Sequence, residues 1–349
     1  MIAGPRTPDR ARTMFVPRFA AALVAALVVS PAAAQGAPPP ACEGRDLIAK
    51  AKAEDPKAYA AFEAEARAVP NAEGLLWRIA PKDAALAPSY LFGTMHTTDA
   101  DLVTLSAPVR AALQDAKTVA VEIADANGAA AQAEVVAYVT RNALDLSGRG
   151  LEGLDEAQRK EVGRRIAENG LPASVASSLK PWFLGITLQV SACETKRMAQ
   201  GLPTIDFAVE RIGRENGAKI VGLESVTEQL DAVSKIPEET ARRMIRDTVA
   251  TPEAGGDLQT TTLSLYRARR VGWYLAMKGG LFGAGFDVDA YADFMAELVD
   301  RRNTLMAERS EALVAGGGAF IAVGALHLPG PKGLVELYRQ AGYAVEKVW

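Results

Sequence analysis

The sequence predicts an α/β protein: a central mixed β-sheet with helices on both faces and a large helical insertion. Three observations carry that expectation. Two stretches read strand, helix, strand with short links, one over residues 89–123 and one over residues 319–348, and such units lay their strands parallel in one sheet. Between them, residues 129–217 show mostly helical periodicity, interrupted at Gly148-Arg-Gly150, Gly170-Leu-Pro172, Lys180-Pro181 and Gly201-Leu-Pro203. Finally, the only two histidines sit in one local text, Gly93-Thr-Met-His96 and Gly324-Ala-Leu-His327, each just past a short apolar run.

The elements follow in order from the amino terminus. Arg6, Arg10, Arg12 and Arg18 precede an apolar run from Phe19 to Val29 that ends in Ser30-Pro31-Ala-Ala-Ala34. A basic segment, a short apolar core and an A-x-A site make residues 1–34 an expected signal peptide, cleaved after Ala34. The protein is therefore expected to be exported, periplasmic or secreted. The run is shorter than the roughly 20 apolar residues a membrane span prefers, and no other segment is long and apolar enough to cross a bilayer. Residues 35–45 read as a linker and residues 46–349 as one domain.

Within that domain, residues 46–68 read as an alanine-rich helix interrupted at Pro56. Residues 75–79 and 89–93 flank a Pro/Lys/Asp turn, which predicts two adjacent strands. Ser106 is placed to cap a helix over residues 107–116, and a strand over residues 118–123 follows. Past the helical middle, a strand over residues 218–223 delivers Glu224, and helices are expected over residues 227–234, 237–249, 258–278 and 288–315. The glycines at 255–256 and 279–285 follow helices and lack a Gly-Lys-Ser/Thr ending, so they read as turns and not as a phosphate loop.

At 349 residues with 49% hydrophobic and 23% charged side chains, the chain has globular composition and length for a sizeable core. A formal net charge of −3 and the lack of a long Lys/Arg cluster give no electrostatic footprint for nucleic acid. Cys42 and Cys193 both lie beyond the signal peptide, and in an oxidising compartment the pair is expected to form a disulfide.

In open α/β sheets, ligands gather at the carboxyl ends of the strands. Four residues occupy such positions: His96, His327, Glu122 and Glu224. A carboxylate closing a buried strand costs several kcal/mol unless it is paired, and two glutamates with two histidines would offset one another. They form either a mixed His/Glu metal site suited to Zn, Mn, Fe or Co or a metal-free acid/base cluster. Gly93 and Gly324 permit a sharp turn off the strand and close approach of a ligand. The blander alternative pairs each glutamate with an arginine such as Arg301 or Arg302. Arg302-Asn303 lies mid-helix, where a charge run ordinarily faces solvent. Asp99, Asp101 and Asp206 read as loop or cap residues, and Trp182, Trp273 and Tyr274 as core. No G-x-S-x-G elbow supports a Ser-His-Asp route.

An ordered set of short motifs adds to this reading: Leu76-Trp-Arg-Ile79, Tyr90-Leu-Phe-Gly-Thr-Met-His96, Val121-Glu122, Gly201-Leu-Pro-Thr-Ile-Asp206, Gly222-Leu-Glu-Ser225 with Glu228-Gln-Leu230, Arg302-Asn303, and Val323-Gly-Ala-Leu-His-Leu-Pro-Gly330. With that set the chain resembles the TraB/GumN family, which includes the PrgY pheromone-shutdown proteins and the Tiki proteases. The likeness spans nearly the whole chain beyond the linker. It implies a Tiki-type fold shared with erythromycin-esterase-like and ChaN-like proteins. His96 and His327 correspond to the motif histidines, Glu122 and Glu224 to the strand-end glutamates, and Arg302 with Asn303 to a polar pair before the last strands. Because the Tiki branch is regarded as metal-dependent proteases, the resemblance implies an exported metal-dependent hydrolase acting on a peptide or protein substrate. His96, His327 and one glutamate would hold a divalent ion (Mn, Zn, Co or Fe) that lowers the pKa of a bound water. The other glutamate would take the proton, and Arg302 or Asn303 would stabilise the oxyanion. Two rival readings use the same residues: a non-catalytic carrier of haem or a small ligand, and a metal-free esterase with histidine as general base.

Overall fold

A computed structural model describes residues 40–251, 253–283 and 286–349. The expected signal peptide, residues 1–34, lies outside the described residues. The interrupted helix near the amino terminus is two helices, α1 (Leu47–Glu54) and α2 (Pro56–Ala68). The Asp46 carboxylate accepts from the Ile48 and Ala49 amides, and Asp55 accepts from Ala58 N with Pro56 starting α2. Pro56 supplies no amide to a preceding turn, so it ends one helix and begins the next.

Six strands form one sheet in the order β4-β3-β5-β2-β1-β6: β1 (Leu76–Ile79), β2 (Ser89–Thr94), β3 (Thr118–Val121), β4 (Lys219–Gly222), β5 (Ala319–Gly324) and β6 (Val345–Lys347). The first four in that order are parallel, and β1 is antiparallel to both β2 and β6. The sheet is therefore mixed, as expected. Neither strand-helix-strand unit joins neighbouring strands, however. Helix α3 (Ala107–Gln114) links β2 to β3 with β5 lying between them, and the last helix links β5 to β6 across β2 and β1. Burial explains the central place of β5: Ala319 to Val323 are all buried, whereas β4 has no buried position and forms an edge.

Side chains alternate across the sheet with the period of two that a pleated strand imposes. Phe92, Val119, Val121, Phe320 and Ala322 pack on one face with Val109 and Leu113 of α3 and Ile205 and Val209 of a helix from the middle region. Leu91, Ala120, Ile321 and Val323 pack on the other with Met306, Val314, Leu334 and Tyr338. Helices thus cover both faces.

The middle region is helical, with α4 (Ala129–Asn142), α5 (Glu156–Glu168), α6 (Pro181–Gln189), α7 (Ala192–Ala199) and α8 (Ile205–Glu215). Together with α9 (Val226–Ser234) and α10 (Glu238–Thr248), parts of it bury a cluster of their own that includes Tyr138, Ile166, Trp182, Leu184 and Ile245. Then come α11 (Ala254–Arg267), α12 (Arg301–Gly316) and α13 (Leu334–Gln340).

Three local expectations change. The helix expected to 278 stops at Arg267, because Arg269 takes a left-handed φ of 58°, which an L-residue cannot sustain within a helix. The helix expected over residues 288–315 is a 3-10 turn, a short α-turn, a π-helical segment Ala296–Asp300 and then α12. Ser106 stands at the start of α3 but makes no capping bond, and its buried hydroxyl has no partner among the described residues.

Cys42 and Cys193 are bonded, 151 residues apart in sequence. The bridge ties the amino-terminal arm to α7, and closing a loop of that size stabilises the fold by about 2–5 kcal/mol. Among the described residues no helix is long and apolar enough to cross a membrane.

Candidate functional site

The strand order makes the site. Reading across the carboxyl edge of β4, β3, β5 and β2, the chain delivers Glu224, Glu122, His327 and His96 in turn. The parallel ladder continues past β3 and β4, with Leu223 N on Val121 O and Glu224 N on Glu122 O, both 2.8 Å. The two glutamates therefore leave the sheet side by side. The two G-x-x-H turns also touch: β2 pairs with β5 so that Gly93 faces Val323 and Thr94 faces Gly324.

Close approach, and not an unusual turn, explains the two glycines. Neither has a positive φ. A Cβ on Gly93 would lie 2.9 Å from the Ala325 backbone, inside the other motif. A Cβ on Gly324 would stand 3.1 Å from Glu122 Oε1, the oxygen that accepts from Gly324 N at 2.6 Å.

Between the glutamates lies Arg302, itself only 7% exposed. Its Nε donates to Glu224 Oε1 and Oε2 at 3.0 and 3.1 Å, and Nη2 donates to Glu224 Oε2 at 2.6 Å and Glu122 Oε2 at 2.7 Å. Nη1 donates to Leu298 O at 3.0 Å and faces His327 Nε2 at 3.3 Å. A guanidinium has five N–H donors, and all of them are engaged. Gln229 Nε2 adds bonds to Glu122 Oε2 at 2.7 Å and to Glu224 Oε2 at 3.3 Å. Burial pushes the Glu122 carboxyl up, but His327, which is charged only in acid, the Arg302 charge, His96 and the Gly324 amide outweigh it and hold it at about 2. The arginine alternative weighed for both glutamates is thus realised in Arg302. The same bonds leave it no donor aimed at a substrate, against its expected role at an oxyanion.

Asn303, the neighbour of Arg302, is 1% exposed and stands behind His327. Its Nδ2 donates to Lys332 O at 2.9 Å, which turns Oδ1 toward His327 Nδ1 at 2.6 Å. That oxygen can only accept, so His327 carries its proton on Nδ1 and leaves Nε2 unprotonated. Burial lowers the His327 pKa from 6.5 to about 4, with Glu122 opposing and Arg302 assisting. Asn303 positions this ring; its amide does not reach out to a substrate.

His96 is the accessible member, its side chain 77% exposed. Nδ1 meets Asp206 Oδ2 at 2.8 Å, and Thr94 donates to Asp206 Oδ1 at 2.5 Å. The nearby Asp206 charge and its hydrogen bond raise the His96 pKa from 6.5 to about 9. Asp206 lies in the first turn of α8, after Thr204, whose hydroxyl caps the helix through Phe207 N. An aspartate there reads locally as a helix-dipole residue, which is why its partnership with His96 was not legible; its place in Gly201-Leu-Pro-Thr-Ile-Asp206 was the one available signal.

The loop that carries His96 is clamped from α7. Glu194, 6% exposed, accepts from Thr97 Oγ1 at 2.7 Å, Thr98 N at 2.9 Å, Thr98 Oγ1 at 2.5 Å and Gln259 Nε2 at 3.0 Å. Glu194 adjoins the bonded Cys193, so the disulfide anchors the helix that holds this loop. Tyr266 Oη donates to Gly93 O at 2.8 Å and steadies the strand end from the other side. Glu194 did not stand out in the sequence, and Gln229 had no signal beyond its place in Glu228-Gln-Leu230, where it was given no role.

Asp206→Asn tests the His96 pairing. The charge disappears, so the His96 pKa is expected to fall from about 9 toward 6.5, read in a proton NMR titration in which only two imidazoles contribute. The linkage has a definite sign. A pKa raised in the folded state contributes stability that is full below pH 6.5 and is lost as pH rises through about 9. The variant's deficit in stability should therefore shrink over that window. An imidazole resonance that titrates near 9 in the variant would show that Asp206 is not the cause.

The donors as arranged do not fit one metal ion. Both oxygens of Glu224 accept from Arg302, Glu122 Oε1 accepts from Gly324 N, and His327 Nε2 faces a guanidinium N–H. Glu122 Oε1 and His327 Nε2 are 3.8 Å apart, but among the described residues no three His, Cys, Asp or Glu side chains are grouped to hold an ion.

Fold and site together define an α/β protein with a polar cluster at the carboxyl edge of its parallel strands: a buried Glu-Arg-Glu bridge, one buried histidine and one exposed histidine backed by a carboxylate. The TraB/PrgY/gumN family model matches residues 75–347, and the chain belongs to that family. No curated protein and no solved structure shows a significant match to it.

Proposed function

We propose that this chain is an exported hydrolase of a peptide or ester carbonyl, built on an erythromycin-esterase-like, ChaN-like variant of the α/β fold, with the His96–Asp206 pair as its proton-handling centre. One observation carries the reading: an exposed imidazole whose Nδ1 is held by a carboxylate at 2.8 Å, leaving Nε2 open to solvent. Export is supported by the signal-like residues 1–34 and by the Cys42–Cys193 disulfide.

In this mechanism neutral His96 takes a proton on Nε2 from a water as the water oxygen bonds to the carbonyl carbon. Asp206 holds the ring in the required tautomer and stabilises the imidazolium. The same proton then passes to the leaving nitrogen or oxygen as its bond to carbon breaks, so the pair ends as it began. Behind it, Glu122, Glu224 and Arg302 carry a net charge of about −1. That field also favours the imidazolium, and Glu122 already acts in this sense on His96. His327 and Asn303 keep the wall of the site in place. No step of this reading is routed through an ion.

The test uses the mature protein on casein and on a panel of p-nitrophenyl esters, with and without EDTA. Activity is expected to survive the chelator, with kcat/KM rising about tenfold per pH unit below about 9 and levelling above it. Activity lost to EDTA and restored by a single kind of divalent ion would overturn the His96–Asp206 mechanism. It would return His96, His327 and Glu122 to the role of metal ligands.

A further inference from the structure

Away from the histidines, a cavity of about 600 Å³ opens among α1, α6, α10, α11 and the stretches Tyr274–Gly283 and Phe286–Met295. None of His96, Glu122, Asp206, Glu224, Arg302 or His327 lines it. Its size is in the range of small-molecule sites, roughly 300–1,000 Å³. Leu188, Leu258, Phe282, Phe286 and Phe294 supply much of an apolar wall.

The polar groups in that wall are few and specific. Tyr274 lines the cavity, and its hydroxyl has no hydrogen-bond partner among the described residues, whereas Tyr291 donates to Asp247. The cations at the mouth are already paired. Arg45 donates from Nε and Nη2 to Asp257 at 3.0 and 2.5 Å, and Lys50 lies 3.7 Å from Glu54. Carboxylates, from Glu54, Asp55, Asp247 and Asp257, outnumber the two cations. An anionic head group would meet net negative charge and no free cation; a hydroxyl or amide head would find Tyr274.

We propose that this cavity is a second binding site, for an uncharged amphiphile with one apolar chain or ring system and one hydrogen-bonding head. The site is independent of the hydrolase reading. One wall runs on into the reactive region: Tyr291, Phe294 and Met295 lead into the π-helical segment Ala296–Asp300, whose Leu298 O holds Arg302 Nη1 at 3.0 Å.

The probe is N-phenyl-1-naphthylamine, uncharged and fluorescent in apolar surroundings, titrated into the mature protein. Saturable enhancement at one equivalent is expected, with 1-decanol displacing the probe at least tenfold more effectively than decanoate at pH 8. Leu258→Trp, which fills the cavity, should weaken probe binding at least tenfold; if that variant fails to fold, Leu281→Trp serves. Tyr274→Phe should weaken decanol competition about fivefold, the scale of one neutral hydrogen bond. His96→Ala should leave probe binding unchanged. The proposal fails if enhancement does not saturate, if neither tryptophan variant weakens it, if decanoate competes as well as decanol, or if His96→Ala abolishes binding.

Discussion

Arg302→Met is expected to destabilise the protein by at least about 3–5 kcal/mol, the cost of leaving a buried charge without its partner. Two carboxylates are stranded in this case, since among the described residues Arg302 is the one cation bonded to both Glu122 and Glu224, at 2.7 and 2.6 Å. Methionine keeps much of the volume, so packing is not the main loss. The pH dependence separates charge from shape. In the parent, Glu122 is lowered from 4.5 to about 2, so its contribution is present above pH 4.5 and is lost as pH falls toward 2. In the variant Glu122 keeps its burial but loses the Arg302 charge, so its pKa moves up toward 4.5 and the stability lost between pH 4.5 and 2 should shrink. Urea unfolding at several pH values measures this. Combining Arg302→Met with Glu122→Gln and Glu224→Gln should recover a large part of the loss. A variant that is equally destabilised at every pH and is not rescued would mean that Arg302 acts through packing.

The second large effect is on turnover. His96→Ala should lower kcat/KM by about 10²–10⁴, the range of a positioned general base, with little change in thermal unfolding at pH values above about 9, where the ion pair with Asp206 no longer contributes and only the packing of a ring 77% exposed is lost. His327→Ala should behave differently. That ring is 5% exposed and bonds Asn303 Oδ1 at 2.6 Å, so its loss leaves a cavity and an unpaired buried amide and should cost about 2–4 kcal/mol. Full activity in His96→Ala would remove His96 from the mechanism. A His327→Ala protein as stable as the parent would contradict its buried, bonded placement.

Most of the element boundaries were legible because they rest on local chemistry. Pro56 divides two helices where proline has no amide to give, and the apolar runs at Leu91-Phe92 and Phe320 to Val323 are strands that alternate between two packed faces. The failures are also physical. A left-handed residue such as Arg269 has no composition signal of its own, and Ser106 has the residue type of a cap without its bond.

For the site, the sequence alone marked four strand-end residues, Glu122, Glu224, His96 and His327, because a polar side chain closing a buried strand must be answered by another group. It also marked both glycines and the Cys42–Cys193 pair. Which group answers which was decided by the tertiary structure. The insertion of β5 between β2 and β3 brings the two G-x-x-H turns into contact, and α12 carries Arg302 in from 78 residues beyond Glu224. Asp206 reaches His96 from the first turn of α8, 110 residues along the chain. Local periodicity records which face of an element is apolar, but strand order and helix placement depend on how all the faces are buried together. A buried charge network is set by those long-range contacts, so its pairing appears only once the sheet is assembled.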